Sequence, residues 1–157
     1  MKAISVSHIK KELEHLSSDE LTELCLRLAK FKQENKELLT YLLFEAHDEV
    51  GYIEAVKTEV DAQFEEINTS SYYYMRKSVR KILRIIKKFA RYSLKKETEV
   101  ELLLHFCLRL TSLQPSIFNN VTLTNTYHRQ LAQIKKIMNT LHEDLQYDYR
   151  FKLDELK

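Results

Sequence analysis

A chain of 157 residues, 44% hydrophobic and 31% charged, has the length of one globular domain and the balance of a folded chain, which excludes a disordered one. One glycine, Gly51, and one proline, Pro115, leave too little turn chemistry for a sheet-rich fold, so the expected fold is all-α. The formal net charge of +2 conceals a steep asymmetry: residues 1–66 carry −7, residues 67–96 carry +10 with no acid, and residues 97–157 carry −1.

The expected elements follow from caps and apolar periodicity. Ser7 is placed to cap a short first helix bearing Ile9 and Leu13. Ser17 with Glu20 forms a capping box, and the helix it opens runs to about Gln33, with Leu21, Leu24, Cys25, Leu28 and Phe31 as its buried face. Asn35 is expected to cap a third helix through Leu38, Leu39, Leu42, Leu43 and Ala46, ending near Gly51. A fourth carries Ile53, Val56, Val60, Phe64 and Ile67.

The polar run Asn68–Ser71 then caps a basic helix over 72–95, with Tyr72 to Ser93 as its core. Residues 97–113 are apolar nearly all round, which predicts a helix surrounded by others at the centre of the fold. Pro115 ends it, and Ser116 to Val121 form a loop or short turn. The last helix, 122–150, repeats Tyr127, Leu131, Ile134, Met138, Leu141 and Leu145 at alternating spacings of four and three, the seam of an antiparallel bundle. The whole is expected as a single domain, 1–157: a compact antiparallel bundle or stack of helical hairpins with six to seven helices. Cys25-Leu26-Arg27-Leu28 recurs as Cys107-Leu108-Arg109-Leu110, an echo that either a duplicated hairpin or chance produces in leucine-rich helices.

The runs LSSDELTELCLRLAKFKQENKELLTYLLFEA and TSSYYYMRKSVRKILRIIKKFARYSLKKETEVELLLHFCLRL together resemble a family of short uncharacterised bacterial all-helical proteins. The resemblance implies a complete small bacterial protein and brings no activity, ligand or catalytic residue with it.

The strongest functional signal is the basic helix. At about 100° per residue, Arg76, Lys77, Arg80, Lys81, Arg84, Lys87, Lys88, Arg91 and Lys95 fall within an arc of roughly 140°, opposite Met75, Val79, Ile82, Leu83, Ile85, Ile86, Phe89 and Ala90. Such a stripe suits an acidic protein, a phosphate backbone or an anionic membrane surface. Tyr72, Tyr73 and Tyr74 at its start have the chemistry to stack on unpaired bases. The competing reading is a solvated face, or one neutralised by Glu45, Asp48, Glu49, Glu54, Glu59 and Asp61. The best functional expectation is a non-enzymatic protein-interaction module using this face on an acidic protein partner; the alternative is a nucleic-acid-binding accessory protein.

Other chemistry has weaker support. Six histidines include His47 and His142 beside acids, yet adjacent residues point apart on a helix, and no H-E-x-x-H occurs. Cys107 and His105 lie two apart and therefore on different faces, and His105 suits a hydrogen-bonded core position. There is no G-x-S-x-G, no glycine-rich phosphate loop and no dinucleotide fingerprint. No catalytic residue, metal ligand or cofactor is expected. Cys25 and Cys107 sit in apolar stretches, which predicts buried, unpaired thiols. No apolar run approaches the ~18 residues of a membrane span, and the first residues lack a signal-peptide core, so the expected compartment is the cytoplasm.

Overall fold

The computed structural model describes residues 1–156, which form eight α-helices, one π-helical turn and one 3-10 turn, with no strand among the described residues. Where the sequence reads as one domain of six to seven helices, the contacts gather the chain into two compact units, Met1–Phe44 and the remainder from Glu45.

The first unit holds α1 (Val6–Leu13), α2 (Ser18–Phe31) and α3 (Gln33–Thr40). Ser5, not Ser7, caps α1, its Oγ accepting from the His8 amide. The capping box of α2 is present in full: Glu20 Oε2 accepts from the Ser17 amide at 2.8 Å, and Ser17 Oγ accepts from the Glu20 amide at 3.2 Å. The bond from the Ser17 backbone, reinforced by its hydroxyl, holds the Glu20 carboxyl below the usual carboxylate range. Lys32 turns extended and breaks α2 from α3, which starts without a side-chain cap. Asn35 therefore lies inside α3; its Nδ2 donates to the Leu28 carbonyl at 2.9 Å and ties the two helices together.

No residue of α1, α2 or α3 is buried. This overturns the expected core positions Leu24, Cys25, Leu28 and Phe31, all of which are exposed. Spacing identifies an apolar face, but burial needs a covering layer, and three short helices supply none.

A π-helical turn at Tyr41–Glu45 interrupts the expected third helix. The second unit then contains α4 (Glu49–Glu65), α5 (Tyr72–Ser93), α6 (Lys96–Thr111), α7 (Val121–Met138) and α8 (Glu143–Asp154). Gly51 does not end a helix; it sits in the first turn of α4, donating to the Asp48 carboxylate that caps it at 3.0 Å. A side chain at Gly51 would meet Asp48 Oδ2 at 2.3 Å and displace that cap. The eighth helix arises because the expected 122–150 helix breaks at Asn139. There the Thr140 hydroxyl turns back onto the Ile137 carbonyl, and His142 Nδ1 accepts from the Asp144 amide to restart the helix.

Helix α6 is the centre of this unit, packing against α4, α5 and α7. Val100, Leu102, Leu103, Phe106, Cys107 and Leu110 are fully buried, and its first-turn Thr98 with them. Around it lie Val56, Val60 and Phe64 from α4, Met75, Val79, Ile82 and Ile86 from α5, and Leu123, Tyr127 and Ile134 from α7. Of the C-terminal seam, Tyr127, Ile134 and Met138 are buried while Leu131, Leu141 and Leu145 are half-buried. Ser71 caps α5, as its position suggests, and Leu94 ends it in the left-handed region at φ 57°, its amide bonding the Ala90 carbonyl.

Leu103→Ala or Leu104→Ala is expected to cost about 2–5 kcal/mol, the cost of a cavity at the centre of a packed core, read as a lowered denaturant midpoint. The two cysteines are both unpaired, but only Cys107 is buried, and burial pushes its thiol up to about 12. Cys25 should therefore react with a thiol reagent in the native protein, and Cys107 only after unfolding. Equal native rates for the two would show that the α6 core opens readily.

Candidate functional site

Helix α5 is built to hold a charged face steady. Met75, Val79, Ile82, Ile86 and Ala90 recur at four and three residues and are buried, anchoring one side along 22 residues. The same geometry turns the cations outward. Lys77, Arg80, Lys81, Arg84, Lys87, Arg91 and Lys95 are exposed, and Arg76 and Lys88 are half-exposed. An open groove of about 890 Å³ runs along this face, lined by Tyr73, Arg76, Lys77, Arg80, Arg84 and Lys87, with Leu83 and Thr122 completing it.

Of the acids that could neutralise the stripe, Glu49 meets it only at Lys95, and Asp48, Glu54, Glu59 and Asp61 are engaged elsewhere. Glu49 accepts from the Ser93 and Thr98 hydroxyls and pairs with Lys95 at 3.0 Å, at the far end of α5. Glu54 pairs with Lys57 at 3.0 Å. Asp61 Oδ1 meets His105 Nε2 at 2.6 Å and Arg109 Nε at 3.2 Å. Asp48 caps α4, and Glu59 accepts from Gln63. Among the described residues, Arg76, Lys77, Arg80, Lys81, Arg84, Lys87 and Arg91 have no ion-pair partner. Lys88 lies over the Phe89 ring at 4.8 Å. Seven of the nine stripe cations thus stand apart from the acids of α4, and Lys95 is held by Glu49.

The three tyrosines divide. Tyr72 donates its hydroxyl to the Ser116 carbonyl at 2.8 Å and is structural. Tyr73 and Tyr74 remain 62% and 47% exposed, edge to face with ring centres 5.4 Å apart. Thr122 reaches the groove from α7, a contribution that no local sequence signal announces.

A second polar cluster lies between α4, α6 and α8. Lys57–Glu101, Asp61–His105 and Glu65–Arg109 are each 44 residues apart and step by four, so α4 and α6 run parallel with their polar edges in register. Glu101 also takes Lys152 of α8 at 2.6 Å. Burial alone would raise the Glu101 carboxyl; the Lys152 hydrogen bond and charge, with the charge of Lys57, more than reverse this and hold it below 4.5. Burial, with the nearby Glu101 charge, pushes the Tyr149 phenol up. A cavity of about 250 Å³ adjoins the cluster, but the lysines and Glu101 within it saturate one another. His105 is tied to Asp61 and is not oriented toward Cys107, whose thiol lies in the core.

Among the described residues, no three His, Cys, Asp or Glu side chains converge to hold a metal ion, and no helix is long and apolar enough to cross a membrane. Comparison of the chain with protein-family models, curated proteins and solved structures gave no match.

The Glu101 cluster makes a pH prediction. Because its native pKa is depressed, the stability it supplies is whole above 4.5 and is lost as the pH falls through the lower native value. Glu101→Gln should lower stability at neutral pH and flatten the acid limb of a stability–pH curve from urea melts. An acid limb as steep as wild type would show that other carboxylates carry the acid dependence.

Proposed function

We propose that this chain is a non-enzymatic protein-interaction module, built as an antiparallel helical bundle, which docks an acidic partner protein along the outer face of α5. The observation that carries the reading is the row Arg76, Lys77, Arg80, Arg84 and Lys87, half-exposed at Arg76 and exposed at the rest, lining a groove and unmatched by any acid of its own unit. Unpaired like charges on a rigid helix repel one another, so a complementary anionic surface relieves that repulsion and gains steering in encounter. Arginine forks suit carboxylates in pairs, and Leu83 in the groove offers apolar contact to a folded partner. The pI of about 8.4 lies below the range above about 9 that marks nucleic-acid domains.

Nucleic acid is the second reading, favoured by Tyr73 and Tyr74, whose exposed rings sit at the N-terminal end of the cationic row. The cytoplasm and a bacterial source remain part of the proposal through composition and resemblance alone.

Arg76→Glu, Arg80→Glu and Arg84→Glu together should change stability little, because exposed charges contribute about 0–1 kcal/mol each. The triple variant should melt within a few degrees of wild type and lose a partner that wild type captures after nuclease treatment. Capture that disappears with nuclease, and binding to an oligonucleotide that falls steeply with salt, would transfer the assignment to nucleic acid. Retention of every partner by the folded triple variant would remove the functional role of the stripe.

A further inference from the structure

The first unit has an unsolved burial problem. Its 44 residues form three helices, two of them only eight residues long, and none of the three contains a buried residue. Helices of that length are marginal in water unless an amphipathic face is covered. The face exists: Leu21, Leu24, Leu28 and Phe31 alternate at three and four residues along α2, the spacing of a coiled-coil seam. Yet Leu24, Leu28 and Phe31 are 38%, 59% and 82% exposed, and Leu38 and Leu42 add 36% and 56% nearby in sequence.

We propose that this unit pairs with the same unit of a second copy of the chain, the α2 seams forming the centre of a two-fold helical interface. Three observations select a second copy. The seam is heptad-like, the pattern that another helix of the same kind covers. Residues 1–44 carry seven Lys/Arg and seven Asp/Glu, so two copies meet without net repulsion, whereas the cationic α5 face cannot meet itself. The area also fits. Twelve large apolar side chains of the unit, spread over its helices and the turn after α3, are on average somewhat more than half exposed, and at roughly 100 Å² of apolar surface each they offer at most about 700 Å², against the ~800 Å² per partner of a standard interface. This interface uses residues other than those of the α5 face and does not depend on the role assigned to that face.

Sedimentation and light scattering on the full chain decide the matter. Wild type should show twice the 18.8 kDa chain mass at high concentration and dissociate on dilution. Leu28→Glu with Phe31→Glu should run at the single-chain mass, with Cys107 still protected from thiol reagent as evidence that the second unit stays folded. The milder Leu28→Ala with Phe31→Ala should weaken association by about tenfold or more, as truncating central anchors does. The Arg76, Arg80 and Arg84 reversal should leave the dimer intact. A wild-type chain that is monomeric at every concentration, even one that binds a different protein through α2, overturns the proposal. So does a dimer that survives both α2 variants.

Discussion

Helix α6 carries apolar side chains around almost its whole circumference, and a helix like that is stable in water only when other helices enclose it. Its burial against α4, α5 and α7 is the constraint from which the second unit follows. Each neighbour must turn an apolar stripe inward, and each is left with a polar side outward. For α5 the inward stripe is Met75, Val79, Ile82, Ile86 and Ala90, so the cations are turned to the outer side of the helix. The charged face is thus a consequence of the core: the register that buries Ile82 and Ile86 also fixes where Arg80 and Arg84 stand.

The polar edges of the core helices explain why the acidic and basic segments of the chain do not cancel. Helix α4 has the acids, and a simple charge count would set them against α5. The parallel register of α4 and α6 instead presents Lys57, Asp61 and Glu65 to Glu101, His105 and Arg109. Partly buried pairs of this kind are screened less than surface ones and hold the helices in one alignment. What they satisfy internally is unavailable to α5, and the surplus positive charge is left on one side.

Much of this was legible in the sequence where the information is local. The Ser17–Glu20 box, the Ser71 cap, both ends of α5 at Tyr72 and Ser93, and the enclosed α6 all follow from residues within a turn or two of one another. The failures share the opposite property. Leu28 and Phe31 are spaced as core residues, but whether a second layer covers them is a question about distant chain. Asn35 has the chemistry of a cap and spends its amide on the Leu28 carbonyl instead, which only the hairpin geometry brings near. The break at Asn139 interrupts an unbroken heptad, because Thr140 and His142 satisfy the backbone in a way that periodicity does not record. Of the candidate site, the cations were visible as an arc; which seven of them lack an ion-pair partner, and the approach of Thr122, were not.

Leu94 has a consequence for the path of the chain within the second unit. Residues Tyr72–Thr111 are forty residues of strong helix formers with no glycine or proline among them, and left unbroken they would make a straight rod about 60 Å long. At φ 57° and 84% exposed, Leu94 instead bends the chain back with a conformation that leucine seldom adopts and without burying its side chain. The choice between an extended filament-like helix and a folded globule therefore rests on a corner that its own residue does little to favour. The α5–α6 packing closes the corner, and the Glu49 carboxylate adds a polar clasp from α4 by accepting from Ser93 and Thr98 and pairing with Lys95 on either side of it.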